Sequence, residues 1–144
     1  MKPSFSQRWI TCLFVLTTAG FIFSGYMSAI RLFTGACAFN EFCPYFLGYP
    51  ACWYGFAMFL AMFIVTTLAF SKKIQAETAI TTDIIVALFG IFFSGRFAII
   101  EFVRSLALGG PALSTCALGL IFYCAIFIIA LVAPEEPGTT EGNK

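Results

Sequence analysis

Four long runs of apolar residues, separated by short polar segments, dominate the pattern of the chain. The runs cover about 9–32, 51–70, 83–103 and 112–132. A transmembrane helix needs about 20 mostly apolar residues to cross roughly 30 Å of hydrocarbon, and each run meets this requirement. Residues typical of helix ends separate or follow the runs: Ser71-Lys72-Lys73, Gly109-Gly110-Pro111 and Pro134-Glu135-Glu136-Pro137. The pattern predicts an all-α membrane protein, a bundle of four transmembrane helices that run up, down, up and down.

The domain organisation follows from the same pattern. Residues 1–132 are predicted to form one transmembrane domain, with an outer loop at 33–50. The segment 133–144 is rich in Pro, Gly, Thr and Glu, and such a composition predicts a disordered tail. The first run is too long for the apolar part of a signal peptide, so we interpret it as a membrane span.

The composition supports lipid as the surrounding solvent. Of the 144 residues, 60% are hydrophobic and only 10% are charged, whereas soluble domains carry about 25% charged residues. The net charge of +1 argues against nucleic acid as a partner. The chain has no histidine, which excludes Ser-His and Cys-His catalysis and any histidine-ligated metal or haem.

The basic residues in short segments predict the orientation of the spans. Lys2 and Arg8 precede the first run, and Lys72 and Lys73 separate the second from the third. Positive residues remain on the cytoplasmic side of a membrane. We therefore expect a multi-pass protein of the cytoplasmic (inner) membrane with both termini in the cytoplasm and the 33–50 loop outside.

Four of the six cysteines are predicted to lie near the outer surface, which is the oxidising side. They are Cys37, Cys43, Cys52 and Cys116. The remaining two, Cys12 and Cys124, are interpreted as small buried hydrophobes. The outer thiols could form structural disulfides or a reactive dithiol that exchanges electrons. A zinc site needs cysteine pairs at knuckle spacing, which this chain lacks, so no metal is predicted.

Three segments, taken in order, resemble the bacterial homologues of vitamin K epoxide reductase. The segment Gly20–Met27 looks like the first helix of that family, and the pair Cys37 and Cys43 follows it. Leu47–Gly55 then resembles the family's Gly-x-Pro and later Gly at the start of the second helix. The resemblance implies a four-helix bundle of vitamin K epoxide reductase-like fold, with a quinone pocket near the outer surface.

The resemblance also implies roles for individual cysteines. Cys37 and Cys43 match the loop pair that takes electrons from a thioredoxin-like partner or another exported thiol protein. Cys116 occupies about the position of the second cysteine of the family's Cys-x-x-Cys, which would face the quinone. Leu113 stands where the first would be, so that motif is not present.

Further residues are candidates for binding a cofactor. Arg96 would polarise a quinone carbonyl or stabilise a thiolate, or would instead extend to the membrane interface while Glu101 marks the helix end. Trp53 and Tyr54 would line a pocket for a flat cofactor, or belong to an aromatic belt at the interface. Cys52 would lie near the pocket as an additional thiol.

Two functions are consistent with these features. The first is a membrane thiol–disulfide oxidoreductase coupled to a quinone on the extracytoplasmic side. The second is a non-catalytic member of the same fold, acting as a scaffold, a small-ligand binder or a subunit of a membrane complex with structural disulfides. A channel or transporter is disfavoured because the spans contain few polar residues that could line a path.

Overall fold

The computed structural model describes residues 5–35, 45–109 and 115–133, and nearly all of them are helical. The helices are α1 (Phe5–Thr34), α2 (Ala51–Phe70), α3 (Ala76–Leu108) and α4 (Thr115–Val132). All four are long and apolar enough to cross a membrane, as the pattern of the sequence predicts. Cys37, Cys43, Leu113 and residues 134–144 lie outside the described ranges.

Backbone conformation determines where α2 and α3 begin and end. Pro50 precedes α2 in an extended conformation, and a proline ring suits the start of a helix because it has no N–H to leave unpaired. Lys72 follows α2 with a positive φ of 57°. Gly109 ends α3 in the left-handed conformation, where its N–H bonds to the carbonyl of Ser105.

The four helices form an antiparallel bundle in which each packs against its two neighbours in the ring α1–α2–α3–α4. Consequently α2 and α4 run in the same direction and face each other diagonally across the bundle. We call the end with the two-stranded hairpin before α2 the hairpin end. The opposite end, where Lys72 and Lys73 join α2 to α3, is the lysine end.

Two aromatic rings fill the centre of the bundle across this diagonal. Phe59 of α2 and Tyr123 of α4 are almost completely buried and stack with their centroids 4.4 Å apart. The Tyr123 hydroxyl donates to the carbonyl oxygen of Gly55, 3.3 Å away. Gly20 of α1 lies against Phe59, and Gly90 of α3 lies against Tyr123, so two helices without side chains at these positions make room for the rings.

The third helix extends beyond the predicted apolar run at both ends. It begins at Ala76 rather than near Asp83 and ends at Leu108 rather than near Val103. Asp83, at which the predicted run begins, lies inside the helix and is fully buried. Hydropathy identifies the apolar stretch that lipid tolerates. A helix continues for as long as its backbone hydrogen bonds do, so the charged residues did not mark the ends of α3.

A short antiparallel hairpin, which the sequence did not predict, stands at the start of α2. Strands β1 (Tyr45–Phe46) and β2 (Tyr49–Pro50) pair through a turn in which Leu47 and Gly48 both have positive φ. Two central residues with positive φ are the mark of the hairpin turn that matches strand twist. Arg31 of α1 places its guanidinium over the Tyr45 ring, with its carbon 5.4 Å from the centroid, and thereby connects the hairpin to α1.

Candidate functional site: a thiol-lined cavity

Two cysteines occupy equivalent positions on the diagonal helices at the hairpin end. Cys52 precedes Phe59 by seven residues in α2, and Cys116 precedes Tyr123 by seven residues in α4. Seven residues are about two helical turns, so each cysteine lies on nearly the same helix face as the ring that follows it. Since α2 and α4 run in the same direction, the two thiols face one space, about 10 Å from the stacked rings.

A cavity exists at the level of the two cysteines. The side chains that α2 and α4 direct toward each other there are two small thiols, whereas two helical turns toward the lysine end they are two large rings. Both Cys52 and Cys116 line it, and Phe59 and Tyr123 also contribute to its wall. The volume of the cavity is about 50 Å³, counted as the space that the centre of a water molecule can occupy. One water needs roughly 10–15 Å³ by this measure, so the cavity has room for more than a single water.

The wall of the cavity is mainly apolar, with a few hydroxyl groups from α1, α3 and α4. Ser24 of α1, Ser94 of α3 and Thr115 of α4 supply hydroxyls, and Gly55 and Gly119 leave space beside them. The Ser24 hydroxyl donates to the carbonyl oxygen of Phe21 at 3.2 Å, which leaves its lone pairs available as acceptors. Apolar walls with a few fixed polar groups are typical of sites for small organic ligands.

A hydrogen bond between helices supports the wall beside Cys52. Ser28 of α1 donates from its hydroxyl to the carbonyl oxygen of Cys52, at 3.3 Å. Met27, one residue earlier on α1, is 6% exposed and lines the cavity. The first turn of α2 is therefore connected to α1 where the thiol lies.

The structure brings together only part of the set of residues predicted from the sequence. Cys52 and Cys116 line the cavity, but Trp53, Tyr54, Arg96 and Glu101 do not. Trp53 stacks on Tyr49 with centroids 5.9 Å apart, at the surface, as an aromatic belt requires. Arg96 is exposed and Glu101 half-buried near the same end of α3.

Tyr54 lies one layer behind the cavity wall. Its ring contacts that of Phe93, with centroids 5.7 Å apart, and Phe93 itself lines the cavity. The Tyr54 hydroxyl donates to the carbonyl oxygen of Phe46 in the hairpin, at 3.2 Å. Tyr54 thus holds the hairpin against the bundle and supports the wall without touching the space.

The two cysteines interpreted as buried hydrophobes differ from each other. Cys124 of α4 is half-buried, but Cys12 is exposed on the surface of α1 near the lysine end, so the expectation of burial was wrong for Cys12. Neither of them lines the cavity. Within the described part of the chain, no three potential ligands among Cys, Asp and Glu lie close enough to hold a metal ion.

Comparison with known proteins yields no relative for this chain. No protein-family model, curated protein or solved structure matches it. The resemblance to the vitamin K epoxide reductase homologues therefore stays a prediction from the sequence. Any functional conclusion depends on the cavity and the groups that line it.

Sequence reasoning missed the residues that shape the cavity most. In the sequence, Phe59 and Tyr123 resemble the other apolar residues of their spans. Ser24 and Ser94 are isolated polar residues within spans. One usable signal was present in α3, where the buried residues recur every three or four positions. They are Ala79, Asp83, Ala87, Gly90, Ser94 and Phe97. This stripe of small and polar residues indicates the helix face that packs inward.

Proposed function

We propose that this chain is a membrane thiol–disulfide oxidoreductase of vitamin K epoxide reductase-like fold, coupled to a quinone bound in the thiol-lined cavity. The observation that supports the proposal is the placement of Cys52 and Cys116 on one cavity at the hairpin end. In the sequence, the segment with Cys37 and Cys43 connects α1 to the hairpin at this same end. Both the predicted loop pair and the predicted quinone-facing thiol therefore belong to one end of the bundle.

The proposed reaction begins with a disulfide between Cys37 and Cys43. A substrate dithiol reduces this disulfide by thiol–disulfide exchange and becomes a disulfide itself, leaving two thiols on the loop. The thiols of Cys43 and Cys116 then give two electrons and two protons to the quinone. They form a Cys43–Cys116 disulfide and a hydroquinone.

A second exchange completes the cycle. The Cys37 thiolate attacks Cys43, the Cys43–Cys116 bond breaks, and Cys116 leaves as a thiol after taking up the proton lost from Cys37. The Cys37–Cys43 disulfide is thereby restored. Over one cycle the substrate dithiol is oxidised to a disulfide and the quinone is reduced to a hydroquinone, so that no other oxidant is needed.

The cavity offers suitable groups for a planar ring. The wall is mainly apolar, the Ser94 hydroxyl can donate to a quinone oxygen, and the Ser24 hydroxyl, which donates to Phe21, can accept from a hydroquinone hydroxyl. Cys52 faces Cys116 across the space and contacts the ligand from the opposite side. Arg96, exposed at the same end, contributes positive charge at the interface rather than a direct contact.

The test is quinone-dependent oxidation of dithiothreitol by the purified chain, with a short-chain benzoquinone as the acceptor. We expect turnover in the unsubstituted protein and a fall to the enzyme-free rate in Cys116→Ala, because the electrons then have no route from the loop to the quinone. Cys12→Ala and Cys124→Ala are matched controls outside the cavity and should retain the full rate. An unchanged rate in Cys116→Ala would contradict the mechanism.

A second measurement distinguishes the enzyme from a non-catalytic protein. Mass-spectrometric mapping of disulfides is done before and after incubation with the benzoquinone. A Cys43–Cys116 bridge that forms with quinone and disappears with dithiothreitol supports the relay. Permanently oxidised outer cysteines with no turnover would instead establish a scaffold or binding protein.

The orientation that the mechanism requires gives a further prediction. In a chain whose native cysteines are replaced by alanine, Leu47→Cys at the exposed hairpin turn should react with a membrane-impermeant maleimide on intact cells. Lys72→Cys at the lysine end should react only after the cells are permeabilised, because positive segments remain in the cytoplasm. The reverse result would place the cavity on the cytoplasmic side and exclude the proposed route.

A further inference from the structure

A buried carboxyl group lies far from the thiol-lined cavity, toward the lysine end of the bundle. Asp83 of α3 is 0% exposed, and neither of its carboxylate oxygens has a hydrogen-bond partner among the described residues. It follows the start of α3 at Ala76 by seven residues, or about 10 Å along the helix. Ionisable groups within a membrane span are costly and usually mark a functional site.

The register of the helices places a pair of threonine hydroxyls at nearly the same height in the bundle as Asp83. Tyr54 contacts Phe93 near the hairpin end, and Ala69 and Ala79 share one buried cluster near the lysine end. The intervening Asp83 is therefore level with residues 64 and 65 of α2, within one residue of Thr66. Thr66 is fully buried there and shares a 3.0 Å hydrogen bond with the buried Thr17 of α1.

The contacts between α3 and α4 show which residue of α4 lies at the height of Asp83. Gly90 lies against Tyr123, and Ser94 lies near Gly119. Continuing this antiparallel register toward the lysine end places Asp83 level with Ala130. Asp83 and the Thr17–Thr66 pair therefore form one polar layer toward the lysine end of the bundle.

No charged partner faces Asp83 from the surrounding helices in the described part of the chain. The other buried side chains near this height are apolar: Leu13 of α1, Met62 of α2, and Ile126 and Ala130 of α4. Toward the lysine end, Arg8, Lys72, Lys73 and Glu77 are all exposed. Toward the hairpin end, the next buried titratable group is Tyr123, about two turns away.

We propose that Asp83 is a proton-binding site, in which the carboxyl group beside the Thr17–Thr66 pair holds an exchangeable proton within the membrane span. An ionised carboxylate here would lack both a counter-ion and hydrogen-bond donors, whereas the neutral acid carries no charge to be solvated. The two threonine hydroxyls retain acceptor lone pairs that can accept a hydrogen bond from the neutral acid.

A metal cation does not fit the same position. Asp83 would supply the only charged ligand, and no group of three Cys, Asp or Glu side chains lies close enough to hold an ion among the residues described. Among the described residues, the other polar side chains of this layer are the two threonine hydroxyls, which carry no charge, and Thr17 donates to the Leu13 carbonyl at 2.9 Å. A proton requires no such shell of ligands.

The experiment uses dicyclohexylcarbodiimide, an apolar reagent that adds to protonated carboxyl groups in lipid and remains attached as an acylurea. The full-length chain in detergent or vesicles is treated over a range of pH, and the modified residue is located by mass spectrometry. We expect Asp83 to be the main labelled residue near neutral pH, with labelling that declines to background as the pH is raised. Replacing choline chloride with sodium chloride should not protect it.

Two variants complete the test. Asp83→Asn should lose the label while retaining the folded state, because the amide resembles the neutral acid in size and charge. Glu77→Gln, in the exposed first turn of the same helix, should leave labelling unchanged. Absence of label on Asp83 at every pH would overturn the proposal, and protection by sodium would replace the proton with a metal cation. Both outcomes are read on the unsubstituted protein, so they do not depend on how the variants fold.

Discussion

Replacing Phe59 with alanine is expected to lower the free energy of unfolding by about 3 kcal/mol, at the low end of the range for deleting a buried phenyl ring. The ring is 1% exposed and stacks on Tyr123, and it also fills the space left by Gly20. Lipid is as apolar as the core, so the cost comes from lost packing and the resulting cavity rather than from water. Unfolding in mixed micelles with increasing dodecyl sulfate measures it.

Phe92→Ala is the matched control for this prediction. The same ring is removed from α3, but Phe92 is 72% exposed on the surface that would face lipid. We expect a change within about 0.5 kcal/mol, as for most surface substitutions. Equal losses in the two variants would show that the diagonal stack does not hold the bundle together.

Replacing Gly90 with alanine is expected to destabilise the protein by about 1–3 kcal/mol through overpacking. A Cβ atom at this position would lie 2.5 Å from two carbons of the Tyr123 ring. The ring cannot easily retreat, because Phe59 stacks on it and its hydroxyl is bonded to the Gly55 carbonyl. The same unfolding titration applies.

Gly95→Ala provides the comparison on the same helix. The nearest atom to a Cβ there is a methyl carbon of Leu120, at 3.9 Å, which is ordinary contact. Alanine favours the helix over glycine by about 1 kcal/mol, so this variant should be unchanged or more stable. If Gly90→Ala were as stable as Gly95→Ala, α3 could not lie as close to the Tyr123 ring as the structure places it.

These two predictions also bear on the cavity. Phe59 and Tyr123 close the cavity on the side of the lysine end, and the two thiols line it beyond them. Truncating Phe59 should therefore enlarge the cavity as well as loosen the bundle. A variant that folds but binds the quinone less tightly would connect the packing of the core to the proposed chemistry.

Much of the architecture was predictable because lipid imposes a simple constraint. Backbone groups must be paired within the membrane, so four apolar runs of sufficient length imply four helices. The second run, 51–70, coincides with α2. The ends of α3 were less predictable, since hydropathy stops at Asp83 while the helix continues beyond it toward the lysine end.

The candidate site was predictable only in part. The composition of the two ends assigns Cys52 and Cys116 to the same end of the bundle, as the structure has them. Nothing in the linear pattern shows that Trp53 would point to the surface while its neighbour Cys52 lines a cavity. Adjacent helical residues differ by about 100° in direction, and only the packing of the helices decides which of them faces inward.

The sequence by itself therefore determined four spans, because the length and apolarity of each run reflect the solvent it must meet. It also determined which chemical groups are present, including six thiols and the carboxyl group of Asp83. The tertiary structure alone decided which of these groups meet. Whether a residue is enclosed depends on the register and rotation of helices against one another, and those follow from the fit of Phe59 and Tyr123 against Gly20 and Gly90.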